Sequence, residues 1–435
     1  MATVATQNLV EHQAPTTRAR RVFPWIVFAL TFGLLLSDYM SRQVLSAVFP
    51  FLKSEWVLTD TQLGALTSVV ALAVGLLAVP LSLLADRWGR VRAIVLMAAV
   101  WSLATAASAV AAGYGELMLS RLFIGVGEAA YGSVGLAVVL SVFPAYRRAA
   151  FTGAFMAGGS FGSVIGVALG GAIAVQFGWR WAFGLMAVLG CLLVVLYRLL
   201  VSEDKLDRYK VSDVAVGEPV TTGARPRLRT LVNTPSVLCA YIGSGLQLFV
   251  AGSLFAWLPS YVGRAYGLAP DRAAGIAAMA ILLMGVGMIV LGMVTDQLSR
   301  RVPIRKWTTA IVYSAVSLVF LGIGFSLPAG AAQLLLVAVG VFFAAGTSGP
   351  AGAMVANLTA EPLRATALGT LTLANNLLGL AAGPLVVGML ADATGLVTAM
   401  RFVPLAALAA VVFLYLGRLA YPRSLQRLQT GEVAR

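Results

Sequence analysis

The chain has one histidine, His12, and two cysteines, Cys191 and Cys239. A histidine-based catalytic triad or a histidine-ligated metal centre needs an internal imidazole, and His12 lies in a polar N-terminal stretch, so both are excluded. Two cysteines in separate apolar runs make neither a disulfide framework nor a metal site. No nucleotide loop or nucleophile with its base is present: the Gly-x-Gly at Gly125 and Gly127 lies inside an apolar run and not after a strand. The chain is therefore not expected to be an enzyme, and no cofactor or metal is expected.

Charge is scarce as well. Asp, Glu, Lys and Arg make up 11% of 435 residues and hydrophobic residues 60%, whereas about a quarter of a soluble globular protein is charged. The apolar material falls into runs of twenty residues or more, the length of spanning helices and not the weak alternation of a membrane barrel. The first twenty residues are polar and the first apolar run is full length with no small-residue cleavage site, so no cleavable signal peptide is expected.

Acids are scarcest: 17 against 31 basic residues, a formal net charge of +14. The surplus sits in loops on one side of the membrane, which argues against nucleic acid as a partner. The spans read as Pro24 to Ala47, Gln62 to Ala85, Val91 to Ala111, Leu117 to Phe143, Ala149 to Phe177 and Trp181 to Leu200. A polar stretch follows, expected to be a loop or short surface helix. Then come Pro235 to Val262, Ala273 to Thr295, Trp307 to Ser326, Ala331 to Leu358, Ala365 to Ala391 and Val397 to Leu419. Loops and helix ends on the N-terminal side hold 24 Lys and Arg, the other side five, and Arg42 and Arg121 lie within spans. That bias puts both termini and the linker in the cytoplasm of an inner-membrane protein.

The expected class is an all-α membrane protein of twelve transmembrane helices in two six-helix halves. The division is a tail over 1–23, a bundle over 24–200, a linker over 201–234, a second bundle over 235–420 and a tail over 421–435. The halves also resemble each other. Asp86 in SLLADRWGRV matches Asp296 in GMVTDQLSRR at a shift of 210 residues, Arg148 and Gly153 match Arg364 and Gly369 at 216, and Gly162 and Gly166 match Gly379 and Gly383 at 217. A duplicated six-helix unit is the architecture of transporters whose halves rock about a central site.

Arg121 to Gly132, RLFIGVGEAAYG, places Arg121 and Glu128 two helical turns apart on one face of an apolar span. A carboxylate at that depth costs roughly 2.5 to 3.5 kcal/mol on insertion scales and so faces a polar cavity or a partner. Asp38 and Arg42 are i,i+4 neighbours in span one. Asp38 is 14 residues from Pro24 and Glu128 15 residues from Phe143, which puts both about 21 to 22 Å from the same edge of a ~30 Å core. The two arginines lie further from that edge. Guanidinium forks there favour an anion.

These residues resemble the major facilitator superfamily. The loop after span two reads Ser82, Asp86, Arg87, Gly89, Arg90 where the family runs G, three residues, D, R or K, x, G, R, R or K; Ser82 stands for the first Gly and Val91 for the last basic residue. Arg121, Gly125 and Gly127 match the family's Arg followed by Gly-x-Gly in span four. GVGEAAY at Gly125 to Tyr131 and DYMSR at Asp38 to Arg42 are similar to the Spinster-type subgroup, and span one also to the anion-cation symporters. Both usually place an acid directly before the span-one arginine; here Ser41 stands there and the acid is Asp38.

The resemblance implies the major facilitator fold and a secondary transporter, proton-coupled, moving a small organic anion by alternating access. The alternative is an exporter of amphiphilic lipids or drugs. Arg42, Arg121, Gln247, Asn375 and Asn376 are the expected substrate contacts and Glu128 and Asp38 the proton sites. Phe249, Phe255 and Trp257 are placed to line an apolar part. A purely structural alternative has Arg121 and Glu128 neutralise each other. Asp86, Arg87, Gly89, Arg90, Asp296, Arg300 and Arg301, at helix ends, are the expected gate that closes the cytoplasmic side. Partners are the anion, protons and membrane lipids, and the chain is expected to act as a monomer.

Overall fold

The structure, a computed structural model, describes residues 17–209 and 234–429; His12 and most of the linker and tails lie outside them. The described residues contain no strand and twelve helices long and apolar enough to cross a membrane. Spans one to six are Val22–Trp56, Asp60–Trp88, Arg90–Val110, Tyr114–Val142, Ala150–Phe177 and Trp179–Leu200. Spans seven to twelve are Pro235–Tyr266, Pro270–Ser299, Arg305–Ser326, Ala331–Asn357, Arg364–Thr394 and Leu396–Gln426. An even number of crossings leaves the first and last described residues on one face, here the terminal face; the opposite one is the distal face.

Span one passes its expected end at Ala47 and runs through Pro50 to Trp56. Its charged end is satisfied without a loop, since Lys53 Nζ bonds Asp60 Oδ1 at 2.6 Å. Val57, at φ 52°, turns the chain into span two. There Thr59 and Gln62 form a reciprocal capping box. Part of the linker is a short helix, Glu203–Tyr209, whose Glu203 carboxylate accepts from the Val91 N–H at 2.7 Å. Gly89, at φ 93°, lets that carboxylate approach: a Cβ there would lie 2.6 Å from it.

Small residues set the packing. Span five lies on span one with Gly162 against the Leu36 carbonyl and Gly166 against that of Met40, the close approach a small-residue ridge allows. The two halves meet through spans two and eleven and through spans five and eight. Gly64 abuts the Pro384 carbonyl, a Cβ on Gly388 would fall 2.5 Å from the Asp60 carbonyl, and Gly171 meets Ala274. These contacts lie toward the distal face. Gly64→Val is expected to weaken the closure there by about 1 to 3 kcal/mol, the cost of overpacking. The check is labelling of a Ser348→Cys side chain, between the halves, by a membrane-impermeant maleimide added at the distal face; the rate should rise about 5- to 150-fold.

Spans four and ten, expected as continuous helices, are both broken. Span four consists of Tyr114–Glu128 and Tyr131–Val142, and span ten of Ala331–Ala344 and Ser348–Asn357. The first pieces end 216 residues apart, within the offset of the sequence repeat. Span eleven carries a π-helical stretch at Asn375–Ala381.

Candidate functional site

Span four is wedged where its glycines permit no side chain. A Cβ on Gly125 would sit 2.8 Å from the Val70 carbonyl, and one on Gly127 2.8 Å from that of Met97. Tyr131, just past the break, donates to the Thr31 carbonyl at 2.6 Å. Spans two and three thus hold one side of span four, and its charged face turns to span one.

Four charges meet there. Arg42 Nη2 lies 2.9 Å from Glu128 Oε2, with the Glu128 side chain only 3% exposed. The buried carboxyl of Asp38 lies beside that of Glu128. Arg121 is fully enclosed and donates to the backbone carbonyls of Ser41 at 3.1 Å and Arg42 at 2.9 Å. Its guanidinium also lies 5.8 Å from the Phe183 ring centroid. One atom of each member stays without a protein partner: Arg42 Nε, Arg121 Nε, Asp38 Oδ1 and Glu128 Oε1. With both acids ionised the cluster is neutral.

The cluster borders a cavity of about 300 Å³ between the halves, immediately on the terminal-face side of the distal closure. Arg42 is its one charged lining residue among those described. Tyr39, Gln43, Thr67, Ser160 and Ser163 complete the polar wall of the first half. The second half offers Leu248, Phe255, Ile281, Met284, Met288 and Leu380, with Ser348 as its hydroxyl.

The sequence-derived set divides on this geometry. Arg42 lines the cavity; Arg121 does not, because the Ser41 and Arg42 carbonyls absorb its guanidinium. The buried ion pair is Arg42 with Glu128, not Arg121 with Glu128. Gln247 is wholly buried, its amide donating to the Ala344 carbonyl at 2.9 Å. Asn376 donates to the Thr372 carbonyl and packs against Gly75; neither it nor Asn375 is among the lining residues. Phe255 lines the cavity, whereas Trp257 is buried against the Pro384 carbonyl and Phe249 faces a separate groove with Phe402. Tyr39 and Gln43 go unflagged in the sequence although they flank Arg42; their positions one turn before and one residue after it are the signal that could have found them. Ser160 and Ser163 are hidden in the glycine ridge of span five.

Charge at the distal face is organised around Asp60, which is 2% exposed. Its carboxylate binds Lys53 at 2.6 Å and Arg264 of span seven at 2.7 and 2.8 Å. The Asp60 N–H donates to Asp392 of span eleven at 2.7 Å. At the terminal face, Asp86, Arg87, Asp296, Arg300 and Arg301 are exposed, Gly89 and Arg90 half-buried, and none of the charged ones is in an ion pair among the described residues.

Two six-helix bundles closed at one face over a charge-bordered cavity describe a multi-pass membrane transporter. The chain belongs to the Major Facilitator Superfamily, whose family model matches residues 31–377; its members are transporters and not enzymes. It is 26% identical over 381 residues to the "Hexuronate transporter" of Bacillus subtilis (strain 168), covering 86% of this chain and 88% of the relative. It is 28% identical over 306 residues to the "Probable L-galactonate transporter" of Escherichia coli (strain K12), covering 68% and 67%. "Protein spinster homolog 1" of Homo sapiens is 29% identical over 245 residues, 55% of this chain and 46% of that one. Among solved structures, a bacterial homolog of the human lysosomal transporter Spinster, inward-facing and unoccupied, superposes with a TM-score of 0.79 at 18% identity, over 92% of this chain and 98% of that one.

Proposed function

We propose that the protein is a proton-coupled carrier of a small organic anion that works by alternating access, as a monomer in the inner membrane with both termini in the cytoplasm. One observation carries the reading: Arg42 faces the cavity while its guanidinium is held at 2.9 Å by Glu128, itself beside Asp38. An anion that takes the arginine leaves two neighbouring buried carboxylates with Arg121 as their one remaining cation. Such a pair cannot keep both charges in an apolar interior and takes up a proton. Anion capture and protonation are thereby linked at one residue. Asp38 supplies from one turn away the acid that position 41 lacks.

The names of the relatives, hexuronate and L-galactonate transporters, support an organic anion. The terminal face is read as cytoplasmic from the basic-residue bias, so the face closed around Asp60 is the outer one. In the opposite state Asp86, Arg87, Arg90, Asp296, Arg300 and Arg301 close the cytoplasmic side while Gly89 shapes their loop, and Asp60 releases Arg264. Membrane lipids surround the bundle, and no nucleic acid takes part.

The test is anion-driven proton movement in proteoliposomes. Glu128→Gln is expected to bind the anion and exchange it while losing proton movement by at least about tenfold, since a neutral amide preserves shape but holds no proton. Proton flux equal to the parent's would refute the coupling role.

A further inference from the structure

We infer that the cargo of this cavity is an amphipathic monocarboxylate, one carboxylate on an aromatic or branched aliphatic body, and not a polyhydroxylated sugar acid. The inference rests on the transport reading above and names its substrate class.

The two walls of the cavity differ in chemistry. On the first-half wall, Arg42 carries an unpartnered buried Nε and Thr67 an unpartnered Oγ1. Both are suited to a carboxylate, and Tyr39 lies beneath Arg42 with its ring centroid 5.9 Å from the guanidinium carbon. The facing wall is hydrocarbon and thioether, Leu248, Phe255, Ile281, Met284, Met288 and Leu380, relieved by Ser348. A hexuronate carries hydroxyls on both faces of its ring. Those turned to that wall would lose water and find carbon, which costs binding. An apolar body gains there by leaving water, and methionines adapt to its outline.

Charge and size narrow the class further. With Arg42 the sole charged lining residue among those described, a second carboxylate would meet hydrocarbon without a counter-ion. A volume of about 300 Å³ is at the low end of ligand pockets, about 300 to 1,000 Å³. A phenyl or branched-chain acid fills that volume, whereas a long acyl chain would extend beyond it.

Calorimetric titration of the full chain in nanodiscs tests this with phenylacetate, 4-phenylbutyrate, 2-ethylhexanoate, galacturonate and oleoyl-lysophosphatidate. At least one of the first three is expected to bind at least about a hundredfold tighter than galacturonate. Arg42→Gln should abolish that binding, and Met288→Gln, which puts an amide on the apolar wall at nearly unchanged volume, should narrow the gap. If galacturonate or the lysolipid binds as tightly as the apolar acids or tighter, and Arg42→Gln still abolishes it, the substrate class is wrong while the anion reading survives. If no anion binds, or Arg42→Gln binds as the parent does, the anion reading itself falls and the class with it.

Discussion

Arg42→Gln is expected to weaken anion binding about thirtyfold to several thousandfold, the equivalent of about 2 to 5 kcal/mol for removing one partner of a buried charge-assisted contact. The loss should fall on binding and not on the fold. In the parent, Arg42 is the ion-pair partner of Glu128; without it Arg121 still stands in the cluster as a counter-charge, so the two acids are not left without any cation. Thermal unfolding should therefore shift little, while titration with the best-binding carboxylate loses its signal. Arg42→Lys should restore part of the affinity, because an ammonium keeps the charge but not the fork. A variant that binds normally would move anion capture elsewhere, and Arg121, clamped on two carbonyls and sealed from the cavity, is not a ready replacement.

The second large effect concerns the distal face. Asp60→Asn removes the charge that binds both Lys53 and Arg264. Breaking a buried pair costs about 3 to 5 kcal/mol. Here about 2 to 4 kcal/mol is expected, since the Lys53 and Arg264 side chains remain 37% and 34% exposed and are partly screened. If the halves separate there in the other state, those groups are hydrated in it and the cost is charged to the closed state alone. The equilibrium should then move toward distal opening by about thirtyfold to nearly a thousandfold. Maleimide labelling of Ser348→Cys from the distal face, in a chain with Cys191 and Cys239 replaced by Ala, reads that shift directly. Unchanged labelling would mean that the glycine contacts of spans two and eleven hold the face without Asp60.

Hydropathy makes the twelve spans legible, because each span must bury some twenty residues in lipid and leaves a run of that length, and matched residues such as Asp86 with Asp296 and Gly162 with Gly379 make the repeat legible. Span one runs past Ala47 because Asp60, across the turn, binds Lys53 and makes that charge compatible with a helix. The charged quartet was visible too, since ionised groups in apolar spans stand out. Which arginine faces the cavity was not visible. Arg42 and Arg121 look alike in sequence, and only the approach of the span-one carbonyls to Arg121 separates them. Gln247, Asn375 and Asn376 stand out as polar groups in apolar spans, but an amide in a span has as much use for a neighbouring backbone carbonyl as for a ligand, and Gln247 and Asn376 bond just such groups. The apolar wall of the cavity left no trace, since Leu248 or Met284 in a hydrophobic span is indistinguishable from lipid-facing residues until the helices are assembled.

The paired breaks in spans four and ten separate two properties of the duplicated unit. Glu128 closes the first helical piece of span four, and at the same place in span ten stands Ala344, its carbonyl taken up by Gln247. The kink persists in the copy that has no ion to position, so it belongs to the backbone's own geometry and does not depend on the charge. The break is thus held in duplicate and the buried charge in a single copy. That leaves the second copy a vacant seat, already bent to shape, where a different ionisable group could be installed without redesigning the helix that carries it.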